Sequence, residues 1–295
     1  MWGLLFFSLL FSGHKSFSAA CCGGGFAVPG LVSGDDRAQL SMEYGFTEVV
    51  VDSVNRHGIW SKGEDHQQIR SFSLSGAHLL SDRWQAGFSA PLIQREYQGN
   101  QRSGLGDVST SIGYEYLTDW DYHPWRPKGV GFLQLTLPTG KSRAESEVGG
   151  LDSRGNGFYS LGLGTLLTKV FGDFDVFSSF SARRSFEKSV STSLGASNLQ
   201  PGWGGQLSGG FGYNAKSFRY GSSLTWSYED EIRSTGLAPN SPLERFATFV
   251  VSGSYLYSSA WAGTLSYSDQ TLFGSPVSTS LGRGLLVQIQ RRWSR

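Results

Sequence analysis

From residue 38 onward, apolar and polar residues alternate with a period of two. In "GLGDVSTSIGYEYL", residues 104–117, Val108, Thr110, Ile112, Tyr114 and Tyr116 fall on one parity and Asp107, Ser109, Ser111, Gly113 and Glu115 on the other. Such alternation describes a strand whose two faces meet different surroundings. It recurs in segments near 38–51, 67–80, 83–95, 105–118, 129–138, 157–170, 174–186, 204–215, 218–230, 245–258, 261–272 and 284–293, which predicts twelve strands. The connections also alternate. Those at 81–82, 172–173, 215–217 and 258–260 are tight, whereas 52–66, 96–104, 139–156, 187–203, 231–244 and 273–283 are long and polar. Short and long ends therefore collect at opposite poles, and an even strand number returns both ends of the sheet to the short pole. The longer turn 119–128, "DWDYHPWRPK", breaks the rule at that pole, and its prolines and tryptophans predict a stiff aromatic cap.

Strands of ten to fourteen residues suit a tilted membrane strand better than the soluble mode of about 5–6 residues. The second face is rich in Gly, Ser, Thr and Gln, as a wet interior would be. Trp84, Tyr116, Phe132, Phe174, Phe218, Tyr257, Trp261 and Trp293 lie near the short pole and predict an aromatic girdle at the lipid headgroups. A sheet in lipid must close so that no backbone group is left unpaired. The expectation is an all-β, antiparallel transmembrane outer-membrane β-barrel of about 12 strands, with short periplasmic turns and long outer loops; a secreted β-sandwich or adhesin is the soluble alternative.

Composition narrows the choice. Gly supplies 40 of the 295 residues, mean hydropathy is −0.23, and beyond the N-terminus no apolar run reaches the roughly 18 residues of a membrane-spanning helix. The net charge of +1, with Lys and Arg scattered, offers no footprint for nucleic acid. Residues 1–20, "MWGLLFFSLLFSGHKSFSAA", combine an apolar stretch with small residues at Ser18 and Ala20, the pattern of a signal peptide cleaved before Cys21, although no basic residue precedes the stretch. Residues 21–37 then form an N-terminal periplasmic segment and 38–295 the barrel. Cys21 and Cys22 are the only cysteines, so no disulfide joins distant segments. A plug before the first strand, lipidation of Cys21, a bridge between the pair and metal binding all remain open for them.

"GLGD" at 104–107, "LPTGK" at 137–141 and the Gly-rich alternating strands that follow resemble the outer-membrane barrel family named for the meta-pathway of phenol degradation, over roughly residues 70–293. The resemblance implies an outer-membrane transporter or channel for small, including aromatic, compounds in a Gram-negative cell, and it carries no catalytic residues. The last strand partly fits the signal read by the barrel-assembly machinery: Leu285, Val287, Ile289 and Trp293 alternate, Arg291 interrupts, and Ser294 and Arg295 overrun it.

Other chemistry finds little support. "PTGKS" has Leu135 where a phosphate-binding loop needs glycine, and Gly162 and Gly164 lack a third glycine and a following helix. A barrel phospholipase would need a Ser–His pair on the outer face, but His57 and His66 lie in the first long loop, His78 near the short pole and His123 in the Trp-rich turn. Glu145, Glu147 and Asp152 beside Lys141, Arg143 and Arg154 read as a solvated loop; their spacing is not that of a calcium loop. Neither catalytic residues, metal ligands nor a cofactor are expected. By parity Asp107, Ser109, Ser111, Glu115, Asp175, Arg183, Arg219, Glu229 and Gln288 line the lumen, and their mixed signs argue against strong ion selectivity. The functional expectation is passive uptake of small, aromatic or hydrophobic molecules. Outer-membrane lipid, lipopolysaccharide, the assembly machinery and the solute are the partners. A non-conducting structural or adhesive barrel is the alternative, with an outer-membrane hydrolase behind it.

Overall fold

The computed structural model describes residues 30–32, 36–62, 67–119, 123–142, 145–146, 150–192, 195–236 and 240–295. The signal pattern, Cys21, Cys22, His66, Arg143 and Glu147 lie outside the described residues. The alternating segments fold as β1 (Asp36–Val51), β2 (Gln67–Leu79), β3 (Trp84–Tyr97), β4 in two parts (Asn100–Leu105 and Val108–Leu117), β5 (Lys128–Leu137), β6 (Ser160–Phe171), β7 (Phe174–Ser185), β8 (Trp203–Ala215), β9 (Phe218–Glu229), β10 (Glu244–Leu256), β11 (Trp261–Asp269) and β12 (Leu281–Ser294). Each strand pairs antiparallel with the next, and β12 returns to β1 with Met42 opposite Ile289, so the sheet is a closed twelve-stranded barrel without an edge. Closure satisfies the ladder groups of every strand, the condition for lying in hydrocarbon.

The alternation sets the two faces. Ile112 is 52% exposed and its neighbour Ser111 only 8%. Met42, Tyr44, Phe72, Leu133, Leu163, Phe180, Leu207, Leu265, Leu285, Val287 and Ile289 continue the apolar outer band around the circumference. At the short-turn pole Trp84, Tyr116, Phe174, Phe218, Tyr257, Trp261 and Trp293 are exposed as a girdle. Phe132 is not among them. It is 6% exposed and turned inward, where its ring covers Gly164 across the β5–β6 pair. Register decides this: Phe132 shares the parity of Val130 and Gln134, not that of the outward Leu133 and Leu135.

The long loops hold more structure than their polar composition suggests. Residues 188–192, 195–200 and 233–234 form a three-stranded sheet, and Phe158, Val190 and Leu199 make a small core with Ile232 packed on it. Residues 53–54 and 60–61 pair as a hairpin, and Val51, Val54 and Leu281 bury together beneath it. The aromatic turn after β4 is tied by four contacts: His123 Nδ1 accepts from the Trp125 and Arg126 amides, Lys169 pairs with Asp119, and the Trp125 ring lies 6.4 Å from Phe171.

Candidate functional site: the barrel lumen

Alternation aims one residue in two at the lumen, and β-strand pairing then fixes which inward residues meet. On one side short hydroxyls bond across the ladder: Ser41 to Ser75 at 3.1 Å, Ser208 to Thr225 at 3.0 Å and Ser254 to Thr264 at 2.9 Å. On adjoining strands β5, β6 and β7 the inward residues are bulkier and apolar, namely Val130, Phe132, Leu166 and Phe177. The lumen is therefore neither uniformly wet nor uniformly charged.

Four cation–anion pairs line it. Asp175 takes a two-pronged hydrogen bond from Arg219, Nε at 2.9 Å and Nη2 at 2.6 Å, with Asn214 Nδ2 adding a third donor at 2.9 Å. Both members are essentially inaccessible, at 0% and 2% exposure. Arg183 pairs with Glu229 toward the loop pole, Glu115 lies 3.5 Å from Lys128, and Arg292 lies 3.8 Å from Asp36. A buried pair of this kind is compensated by its partner and presents little field to a passing solute. Gln288 donates weakly to Glu43, an inward carboxylate of β1, at 3.5 Å. Glu43, Lys128 and Arg292 were missing from the residues expected at the lumen, yet each has the inward parity, so the sequence carried the signal.

Residues 30–32 run inside the barrel. The Val32 amide donates to Gln85 Oε1 at 2.6 Å, Ser111 Oγ donates to the Gly30 carbonyl at 3.1 Å, and Leu31 packs over Gly113 beside Val130. Gly87 makes this close approach possible, because a Cβ there would occupy the position of the Gly30 carbonyl. Leu31 and Val32 are almost wholly buried. Ser111, expected on an open wet wall, is consequently covered by this segment. Ser109 and Gln288 also face inward, and the ring is completed by Glu115, Asp175, Arg183, Arg219 and Glu229.

No protein-family model matches the sequence, so the likeness to the phenol meta-pathway family rests on its short motifs. Among solved structures, the COG4313 outer membrane channel from Pseudomonas putida F1 superposes with a TM-score of 0.68 at 15% identity, covering 88% of this chain and 96% of that one. The fold is that of an outer-membrane β-barrel. More distant likenesses include the transport unit of the autotransporter AIDA-I from Escherichia coli, at a TM-score of 0.48, 7% identity and 88% and 90% coverage. The KdgM porin gives 0.45, 11% identity and 85% and 98% coverage.

Within this barrel the two motifs that carry the resemblance meet each other. Gly106–Asp107 is the break between the halves of β4, and the Asp107 carboxylate accepts from the amides of Gly140 at 3.0 Å, Asn156 at 2.7 Å and Gly157 at 3.0 Å. Thr139 Oγ1 bridges the same break, donating to the Gly106 carbonyl and accepting from the Val108 amide. Arg154 Nη1 reaches the Ser103 carbonyl at 2.7 Å, lying against Gly104. Asp107 thus holds the loop between β5 and β6 to the rim of the wall. Parity alone could not distinguish such a knot from a lumen position.

Further out, burial by itself would raise the Glu145 carboxyl, but the hydrogen bonds from Lys188 and Ser142 hold it below its ordinary range. This ion pair ties the β5–β6 loop to the small outer sheet. Of the histidines, His57 accepts from Arg56 and His123 serves its own turn; neither pairs with a serine hydroxyl.

Proposed function

We propose that the chain is a narrow outer-membrane channel that lets small uncharged molecules, aromatic and hydrophobic ones among them, pass without a catalytic step. The observation that carries this reading is the lumen itself: four cation–anion pairs close on the protein and leave Glu43, held by neutral partners, as the exception, while Val130, Phe132, Leu166 and Phe177 face inward opposite a wall of hydroxyls. Paired charges give neither ion sign an advantage, and an apolar stripe beside weak hydrogen-bonding groups suits neutral solutes. Ser109, Ser111, Glu115, Asp175, Arg183, Arg219, Glu229 and Gln288 shape the bore. Residues 1–20 act as the export signal and are removed, and the assembly machinery reads the last strand.

Swelling of proteoliposomes in neutral polyols of graded size tests the reading. Small polyols should enter faster than into empty liposomes, with a steep size cutoff, and benzoate should gain no advantage over an aromatic cation of similar size. Swelling no faster than in empty liposomes for every solute would instead favour a non-conducting structural or adhesive barrel. The segment 30–32 in the lumen and the folded outer loops are what that second reading has in its support.

A further inference from the structure

The outer surface at the loop pole carries an uneven distribution of charge. Arg283 pairs with Asp269 at 2.9 Å and Arg70 with Glu96 at 3.4 Å, so each of these rim arginines is neutralised on the protein. Arg184 and Arg245 are not. Arg184 is an exposed, outward residue near the end of β7, and its guanidinium lies 5.7 Å from the centre of the Trp203 ring. Arg245 is outward on β10 and donates through Nε to the Ser275 carbonyl at 3.1 Å. No carboxylate among the described residues pairs with either one.

Register places both on one patch. Ala182, Gly205, Tyr228 and Arg245 are consecutive partners across β7, β8, β9 and β10, and Arg184 with Trp203 forms the next row toward the loops. Three strand spacings separate the arginine columns, about 14 Å. Between them the outward side chains at Ala182 and Gly205 are small, bounded by Trp203 above and by Tyr228, whose ring stacks on Trp226 at 6.0 Å. Asp230 adjoins Trp203 through its amide but turns its carboxylate to the Glu231 amide at 2.9 Å. Arg184 stands ten residues along β7 from the girdle residue Phe174. That is about 33 Å of strand and, at the usual tilt, about 25 Å along the membrane normal, the far edge of the apolar band.

We propose that this patch binds a phosphorylated glycolipid of the outer leaflet, its phosphates on Arg184 and Arg245 and its sugar face against Trp203 and Tyr228. Guanidinium groups recognise phosphate through paired charge-assisted hydrogen bonds, and two of them on a fixed spacing select a head group with two phosphates over one with a single charge. The aromatic rings supply flat apolar surfaces at the depth where headgroup meets acyl chain.

Native mass spectrometry of the full-length refolded barrel with lipid A, monophosphoryl lipid A or phosphatidylglycerol tests this. Wild type should retain lipid A, and the double variant Arg184→Gln/Arg245→Gln should lose at least about tenfold of that affinity while keeping its heat-modifiable gel shift. Monophosphoryl lipid A should bind wild type more weakly than lipid A does, and more tightly than lipid A binds the double variant, because one arginine–phosphate pair remains. Arg291→Gln is the internal control, since Arg291 sits over Trp261 and Trp293 at the opposite interface, 5.4 and 4.9 Å from their ring centres. An equal loss in Arg291→Gln, undiminished binding in the double variant, or phosphatidylglycerol binding as tightly as lipid A would overturn the proposal.

Discussion

Replacing Asp107 with alanine removes one acceptor that serves three backbone amides, those of Gly140, Asn156 and Gly157. Asn156 is exposed and its amide can turn to water, whereas Gly140 and Gly157 are inaccessible or nearly so. Leaving a buried donor unpaired costs about 1–3 kcal/mol. Two such groups, with the third bond lost to solvent at little cost, give about 3–4 kcal/mol. The penalty should fall on the loop and not on the barrel, because Asp107 lies between the halves of β4 and outside the closed ladder. One pKa unit or one decade of equilibrium constant is about 1.4 kcal/mol, so exchange of the Gly140 and Gly157 amides should accelerate about 10²–10³-fold in Asp107→Ala. Hydrogen exchange in detergent micelles reads this directly, with the β8–β9 amides as an internal standard. Asp107→Asn keeps one acceptor oxygen and should fall between wild type and Asp107→Ala. Unchanged exchange at Gly140 and Gly157, or equal acceleration throughout the barrel, would refute the assignment of Asp107 as the anchor of this loop.

Four further outcomes are expected. Arg219→Leu strands the buried Asp175 carboxylate and should lower barrel stability in urea unfolding by about 3–5 kcal/mol, whereas Asp175→Leu/Arg219→Leu should recover most of that loss. Ser111→Cys, in a background lacking Cys21 and Cys22, should react slowly with an aqueous thiol reagent and speed up when Gly87→Leu evicts residues 30–32; fast reaction with Gly87 intact would mean the segment does not cover it. Ile112→Arg near the midplane should impair folding into bilayers by about 2–4 kcal/mol, measured against Thr110→Arg nearer the outer edge, which should cost less. Because Glu145 is held below its unfolded range of about 4.3, its contribution to the loop is complete above that pH and is lost as pH falls through the depressed folded value. Protease nicking of the β5–β6 loop should therefore rise only below the ordinary carboxylate range, and Lys188→Met should move that onset upward.

Strand number, pairing and facing were legible because a period of two is a local property repeated twelve times. Ile112 and Ser111 could be assigned to opposite faces from their neighbours alone, and the tight turn at Gly172–Asp173 marks itself by a glycine with φ of 59°. Phe132 was misplaced because proximity to the short pole was weighed above parity. Asp107 resisted for another reason: its role depends on a loop thirty to fifty residues away, and alternation carries no information about what a strand interruption holds. The same holds for Phe158, Val190, Leu199 and Ile232, four apolar residues scattered over three polar loops that find one another only in the folded chain. The lumen segment escaped a specific assignment for want of any periodic pattern in Gly30, Leu31 and Val32. Its signature lies in the wall, where Gly87 leaves room for it.

Single-channel recording of the purified barrel in planar bilayers, wild type beside Gly87→Leu, tests the channel reading most directly. Wild type should give small, weakly selective unitary steps that shrink on adding a neutral aromatic solute, and Gly87→Leu should give larger steps with the same reversal potential. A folded, inserted Gly87→Leu barrel that passes no current would contradict it.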